Sequence, residues 1–403
     1  MLNSMPRLLF LKQTSGLRHW FREMCIDLSG LEGEAIVFSD LRAETTANVS
    51  FESGPKYSSK SDSDRIRTWL LYFVKALTFA FRVKGNPVLF IVAQPPFLPL
   101  IGYLQKKLLK RRYVVWVDDV YPDVLFRYGR LSQSSRIIRL WGAFNRRILG
   151  EADHVFTLGP YMMKVLSKYI PTNVPATVVP TWVDTDFIRP ICKANNPFAQ
   201  AHGQQDKFTV MYSGNLGETH DITAILAAAR ELQDRAEIHF MIIGGGPQWH
   251  SIASSVERAR DPNISVLPLQ PAEILPYSLA TADIALVSMG KGVEGISMPS
   301  KTYYCMAAGS VILAITAEQS DLADVIETCD CGMRVSPGDS GALAKIIRYY
   351  ADDSEVTART KANARGAAEA KYSKVVNLPK LHQCLKSSLS SYGDKVPTCV
   401  SYK

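Results

Sequence analysis

The sequence lacks the patterns that define several large protein classes. Its seven cysteines are scattered and never form CxxC pairs with histidines at metal-ligand spacing, which argues against a structural zinc site and indicates a reducing compartment. The fingerprint GxGxxG is absent after the first apolar segment, which continues as Gln13-Thr14-Ser15-Gly16. An NAD-dependent oxidoreductase is therefore not indicated.

Long hydrophobic runs are also scarce. The apolar run near the N-terminus is too short for a secretory signal and predicts a first β-strand instead. Residues 86–105 are nearly free of charge, but Gln94-Pro95-Pro96 interrupts them. This segment predicts a short strand followed by a short helix rather than a transmembrane helix.

Negative charge is depleted in the first half of the chain. Residues 1–190 carry 26 Lys and Arg against 16 Asp and Glu, whereas residues 191–403 carry 20 against 22. A basic first half predicts a negatively charged partner. Two basic clusters lie beside apolar residues and suit either an anionic membrane surface or a solvated helix face: Lys106, Lys107, Lys110, Arg111, Arg112, and Arg136, Arg139, Arg146, Arg147. No nucleic-acid-binding signature accompanies them, so we expect no nucleic acid partner.

Short apolar runs alternate with helical patterns along the chain, which is the βαβ signature of parallel sheets. Predicted strands cover 8–11, 35–38, 88–92, 113–117, 154–158 and 177–179, then 208–212, 238–243, 264–267, 284–287 and 311–315. The 403 residues are enough for two cores, and residues 190–207 read as a connecting loop.

We therefore predict an α/β fold of two Rossmann-like domains that face each other across a deep cleft. Residues 1–195 form the basic first domain, residues 205–375 form the second domain, and the helix within 376–403 crosses back to the first domain. Ligands of open α/β sheets bind at the carboxyl ends of the strands.

Three stretches of the second half can bind an anion. Gly214, Asn215 and Gly217 follow one predicted strand and Gly244-Gly245-Gly246 follow the next, so backbone N–H groups can approach a phosphate there, although such turns also need glycine for purely conformational reasons. Ser300 and Lys301 begin a predicted helix, where the dipole opposes a cation and favours an anionic partner. Glu294 precedes this helix and can accept hydrogen bonds from sugar hydroxyls.

At these motifs the chain resembles the retaining family 4 glycosyltransferases of GT-B fold, in particular the bacterial branch that builds surface polysaccharides. The resemblance covers most of the length and rests on YSGNLG at 212–217, IGGGP at 243–247, PLQP at 268–271, ADIALV at 282–287 and MPSK at 298–301. In the first half, QPP at 94–96, DVYPD at 119–123 and VPTWVD at 179–184 add to it.

The resemblance implies roles for single residues. Glu294 is expected to bind the donor sugar, Lys301 the donor diphosphate, and Gly214 and Gly217 to lie near that diphosphate. Gly16 matches the glycine loop near the transferred sugar and acceptor. The second glutamate of the family motif is replaced by Tyr304, so ribose recognition must differ. The common arginine is missing from residues 214–221, which shifts its electrostatic role to Lys301 and His220.

The adjacent acids Asp118 and Asp119 end a predicted strand of the first half. We expect Asp119 to act near the acceptor or transferred sugar, and Asp118 or Asp123 to cap the following turn. Asp118 and His19 are further candidates for acceptor contacts. For His19 the alternative is a purely structural role. Fixed cations and helix N-termini would stabilise the leaving diphosphate, so we expect no cofactor and no metal.

The sequence thus predicts a cytoplasmic glycosyltransferase peripherally bound to the inner membrane face. It would move a sugar from a UDP-sugar, favoured over a GDP-sugar, with retention, to a glycan or polyprenyl-diphosphate-linked acceptor. Two alternatives stay open. One is a nucleotide-sugar epimerase of the same fold, which needs no acceptor. The other is a non-catalytic sugar-nucleotide-binding protein, for which Tyr304 in place of an acid is the argument.

Overall fold

The protein divides into two compact units. A computed structural model describes residues 7–13, 18–41, 45–46, 48–58, 61–217 and 220–390. The first unit contains the chain up to Pro180 and from Asn377 onward, and the second contains Thr181–Val376. The boundaries proposed from the sequence, 1–195, 205–375 and 376–403, stay predictions.

The first unit is built on a seven-stranded sheet with the order β3-β2-β1-β4-β5-β6-β7, in which every pair is parallel. Its strands are β1 Leu8–Lys12, β2 Ala35–Ser39, β3 Val49–Ser53, β4 Val88–Val92, β5 Tyr113–Val117, β6 His154–Thr157 and β7 Ala176–Val178. The central strands are buried along their whole length, as their continuous apolar runs require.

Helices cover this sheet. They are α1 Arg18–Glu32, α2 Asp62–Arg82, α3 Pro99–Leu109, α4 Asp123–Arg127, α5 Arg136–Leu149 and α6 Pro160–Leu166. The split of residues 86–105 into a strand and a helix is confirmed, since β4 and α3 occupy them. Among the described residues, no helix combines the length and hydrophobicity needed to cross a bilayer.

The second unit repeats the same topology with six parallel strands in the order β10-β9-β8-β11-β12-β13. Its strands are β8 Phe208–Asn215, β9 Ile238–Gly245, β10 Ile264–Pro268, β11 Ile284–Ser288, β12 Val311–Ile315 and β13 Gly332–Val335. The predicted α/β class with two Rossmann-like sheets is confirmed. In both sheets the strand order reverses beside the first strand, at the place where open α/β sheets bind ligands.

The helices of the second unit are α7 Pro197–Ala201, α8 Ile222–Glu231, α9 Trp249–Ala259, α10 Leu275–Ala280, α11 Lys301–Ala307, α12 Asp321–Cys329, α13 Ser340–Asp352 and α14 Ser354–Lys371. The prediction of loop throughout residues 190–207 is wrong, because α7 lies within it. Buried Asn196 caps α7 by accepting from the N–H groups of Phe198 and Ala199, and its amide donates to Tyr277 and Thr281.

The last helix, α15 Lys374–Ser390, begins in the second unit and continues in the first. Its end is held by two side chains of the first unit. Arg112 donates to the backbone carbonyls of Ser388 and Leu389, and buried His154 shares hydrogen bonds with Ser388 Oγ at 2.5 Å and Thr177 Oγ1 at 2.9 Å. Burial lowers the pKa of His154 to about 4.

The lowered pKa of His154 predicts that acid destabilises the folded protein. Because its folded pKa of about 4 lies below the usual value of 6.5, the unfolded chain binds the proton first as the pH falls. The contribution of His154 to stability is complete above pH 6.5 and declines towards pH 4, by about 3 kcal/mol in total. We expect His154→Gln to lose less free energy of unfolding than the wild type between pH 7 and pH 4, measured by urea titration. Equal losses in the two proteins would contradict this role.

Candidate functional site

In the second unit, the glycine-rich ends of β8 and β9 pack closely against each other. A Cβ added at Gly244 would lie 2.3 Å from the carbonyl oxygen of Gly214, and one at Gly246 would lie 2.4 Å from Asn215 Oδ1. The N–H of Leu216 donates to the carbonyl of Gly245 at 2.8 Å. The predicted donor-loop glycines are therefore brought together, and several of them are also required by packing.

The loop after β8 is anchored at its far end. The N–H of Gly217 donates to His220 Nδ1 at 3.2 Å, and the N–H of Asp221 donates to Ser288 Oγ at 2.9 Å, at the end of β11. Residues 218 and 219 lie outside the described residues. Burial, with a smaller contribution from Lys301, lowers the pKa of His220 to about 4, so His220 is neutral near pH 7.

Lys301 has a buried amine and a lowered pKa. It begins α11, and its Nζ lies 3.6 Å from the ring centroid of Tyr212 and would lie 3.6 Å from a Cβ on Gly214. This Nζ is buried and has no hydrogen-bond partner among the described residues. Burial lowers the pKa of Lys301 to about 7. The arrangement is an ammonium site without a described counter-ion, at the ends of β8 and β9.

The other predicted donor residues lie on the segment that leads into α11. Glu294 is half-buried in the loop after β11, where its Oε1 accepts from the N–H of Gly292 at 2.9 Å. Ser300 is the residue before α11, with helical backbone and no side-chain capping bond. Tyr304 is half-buried within α11. Their proposed contacts with a donor stay predictions.

In the first unit, two acids follow β5, as the sequence indicated. Asp118 accepts from Lys12 Nζ at 2.9 Å and from Trp116 Nε1 at 2.8 Å, and Lys12 is 1% exposed. Burial, together with a smaller effect from the charge of Asp118, raises the pKa of Asp119 to about 7. Asp119 also lines a pocket between β5 and α5, together with Tyr121 and other residues. With a pKa of about 7, this carboxyl group is suited to accept or donate a proton near neutral pH.

Other predictions for the first unit are either wrong or concern residues outside the described part of the chain. The prediction that Asp118 or Asp123 caps a turn is wrong. The side chain of Asp118 is engaged by Lys12 and Trp116, and buried Asp123 binds Lys168 and the Tyr169 hydroxyl, which donates at 2.6 Å. Gly16 lies outside the described residues. His19 lies in α1, and its side chain is outside the described part, so its acceptor contact stays a prediction.

Sequence reasoning missed two side chains at these sites. Tyr212, fully buried, supplies the aromatic face next to Lys301, and Lys12 holds Asp118. For Lys12 the sequence did offer a signal, because a lysine at the end of the apolar run LLFLK is unusual. Within the described residues, no group of three or more His, Cys, Asp or Glu side chains could hold a metal ion. The expectation of metal independence stays a prediction.

Comparison with known proteins identifies a family domain within the second unit. Residues 207–353 match the family described as glycosyl transferases group 1. The chain is 24% identical over 319 residues to a protein of Pseudomonas aeruginosa named as glycosyltransferase WbjE, with 79% of each chain covered. It is 27% identical over 232 residues to the colanic acid biosynthesis glycosyl transferase WcaI of Escherichia coli K12, with 56% of each covered.

Solved structures agree on the fold. That of Anabaena Alr3699/HepE in complex with UDP-glucose matches with a TM-score of 0.71 and 15% identity, over 96% of this chain and all of the other. The predicted GT-B class is confirmed. Residues 207–353 therefore carry a group 1 glycosyl transferase domain.

The packing of the glycine turns predicts a difference between two glycines. Gly244→Ala places a methyl group against the backbone oxygen of Gly214, which cannot rotate away, and should cost about 1–3 kcal/mol in the free energy of unfolding. Gly366→Ala is the control, since no atom lies within 4 Å of its added Cβ in α14, and it should be neutral or stabilising by up to about 1 kcal/mol. Urea unfolding of both variants measures this, and equal effects would refute the close packing.

Proposed function

We propose that this glycosyltransferase moves one sugar from a nucleotide diphosphate sugar, with retention of the anomeric configuration, to a glycan or lipid-linked glycan acceptor. The observation that supports this best is the buried amine of Lys301, which has no described hydrogen-bond partner and lies beside Gly214. A diphosphate would provide the negatively charged partner that the described residues do not supply to this amine. Lys301 is the group we propose to bind it.

The chemistry follows from charge. As the bond between the anomeric carbon and the diphosphate oxygen breaks, negative charge develops on the leaving group and positive charge on the sugar. The ammonium of Lys301 and backbone N–H groups of the loop after β8 would stabilise the diphosphate, and Glu294 would bind sugar hydroxyls. Because these groups supply the stabilisation, we propose that transfer needs no metal.

The donor and the pathway are proposed from relatives. The HepE structures contain UDP or UDP-glucose, which favours UDP over GDP as the nucleotide. WcaI is named for colanic acid biosynthesis, which supports a role in surface polysaccharide synthesis. We propose that the protein acts in the cytoplasm, as a peripheral protein at the inner face of the membrane, where a polyprenyl diphosphate would present the acceptor.

Asp119 is the first-unit residue that we propose to contact the acceptor or the transferred sugar. Its pKa of about 7 leaves a large fraction of the carboxylate available to accept a proton from an attacking hydroxyl. The ion pair between Lys12 and Asp118 would keep a second negative charge next to it partly neutralised. Lys12 and Asp118 are positioning residues in this proposal.

A donor-binding experiment tests the function. Purified protein is screened with UDP-sugars and GDP-sugars by thermal shift in EDTA, and the affinity for UDP is then measured by calorimetry. Because hydrogen bonds to charged groups contribute about 1.5–3 kcal/mol, Lys301→Ala should weaken UDP binding roughly ten- to a hundredfold. The exposed Lys345→Ala is the control and should bind like the wild type.

The contradicting outcomes are distinct. Unchanged UDP affinity in Lys301→Ala would remove Lys301 from the donor site, and no shift with any nucleotide sugar would contradict the proposed function. Release of UDP from a UDP-sugar only when a glycan acceptor is added supports a transferase. Conversion of the sugar without acceptor would identify an epimerase instead.

The pKa of Lys301 predicts that binding takes up a proton. Since this pKa is about 7 in the free protein, a bound diphosphate should raise it, and at pH 8 UDP binding should take up close to one proton. Binding enthalpies in buffers with different ionisation enthalpies measure the uptake. Above pH 7 the affinity should fall by up to tenfold per pH unit. Lys301→Ala should abolish the uptake. Equal uptake in both proteins would assign the proton to another group.

A further inference from the structure

Three neighbouring helices of the first unit, α2, α3 and α5, form one layer. Helix α3 packs against both α2 and α5. Aromatic rings continue this layer, since Trp69 of α2 contacts Tyr121 edge-on and Tyr121 stacks on Trp141 of α5, with centroid distances of 6.1 and 5.9 Å. We call the outer face of these three helices the α2–α5 surface.

Helix α5 has two apolar faces. Ile138, Ile148 and Leu149 are buried against the sheet, as expected for a helix that covers it. On the outer side, Ile137 is 56% and Leu140 74% exposed, and the exposed residues continue through Phe144 with helical spacing. The core needs only the first face, so the second requires another explanation.

The other two helices extend this apolar surface. On α2, Ile66, Leu70 and Val74 follow each other at intervals of four residues and are all about half exposed, and Leu108 is exposed at the end of α3. Most of the exposed large apolar side chains of the described chain lie on these three helices. Such an accumulation is typical of a surface that binds a partner.

The charge of the α2–α5 surface is positive. Exposed basic side chains accompany the apolar residues on all three helices: Arg67, Lys75 and Arg82 on α2, Lys107 on α3 and Lys110 directly after it, and Arg136, Arg139, Arg146 and Arg147 on α5. Helix α5 contains no acidic residue, and α2 has acids only in its first turn. Apolar side chains with a basic margin fit an anionic lipid surface, whereas a second copy would bring arginines against arginines.

We propose that the α2–α5 surface binds the face of a membrane that contains anionic lipids, with Ile137, Leu140 and Phe144 entering the headgroup region and the arginines of α5 contacting lipid phosphates. The inference deepens the proposed function, on which it rests for the membrane-bound acceptor. The surface itself is argued from exposure and charge alone.

Vesicle binding tests the proposal. The wild type should bind vesicles containing phosphatidylglycerol more tightly than vesicles of phosphatidylcholine, and high salt should weaken the binding. Because each basic residue near such a surface contributes about fivefold, Arg136→Gln with Arg139→Gln should lower the partition coefficient about 25-fold. Ile137→Ser with Leu140→Ser should also weaken it. Matched controls in the second unit are Arg258→Gln and the 81% exposed Val375→Ser, which should bind normally.

Other results would overturn the proposal. Equal binding to both kinds of vesicle, or variants that bind like the wild type, would exclude the α2–α5 surface. Loss of a dimer in Leu140→Ser without any vesicle binding would assign the surface to a second copy. Lys301→Ala should bind vesicles normally, so a failed donor site and a failed membrane surface are separate results. Thermal unfolding of each variant confirms that it is folded.

Discussion

A buried ammonium group without a hydrogen-bond acceptor is costly, and the proposed donor site contains an amine, that of Lys301, for which the described residues supply no acceptor. Burial lowers the pKa of Lys301 to about 7, which corresponds to about 5 kcal/mol against the charged form. The ring of Tyr212, 3.6 Å from Nζ, offers a cation–π contact that recovers part of this energy. An anion that binds at the site would offset the remaining cost of burying the charged amine. The site would therefore bind a ligand with concentrated negative charge in preference to a neutral one.

The topology explains why this lysine is where it is. The sheet order of the second unit places β8 beside β11, so the loops that follow both strands start at the same edge. The bond from the N–H of Asp221 to Ser288 Oγ joins these loops. Gly214 has a φ of 141°, a backbone conformation that favours glycine, while Gly244 allows β9 to approach the carbonyl of Gly214. Packing requirements and the proposed phosphate contacts therefore involve the same few residues.

Much of the fold could be predicted from the sequence, because buried parallel strands read as continuous apolar runs. Strands β4, β5 and β12 were predicted at their observed bounds. Strands β3 and β13 were missed, since VSFES and GMRV are short and half polar. Helix α7 was missed because its capping Asn196 and Pro197 also suit a loop. At the site, motifs identified Lys301 and the glycines, but Tyr212 and Lys12 are defined only by tertiary contacts that spacing along the chain does not reveal.

The two units divide the proposed work, with a cation for the leaving group in one and a protonatable carboxyl group, Asp119, in the other. The proposed function requires that the donor diphosphate binds at Lys301. A crystal structure of the complex with UDP measures this most directly. We expect a phosphate oxygen about 2.7–2.9 Å from Lys301 Nζ, next to the loop that contains Gly214. A diphosphate bound elsewhere, with Nζ still against the ring of Tyr212 or paired with a carboxylate of the protein, would contradict it.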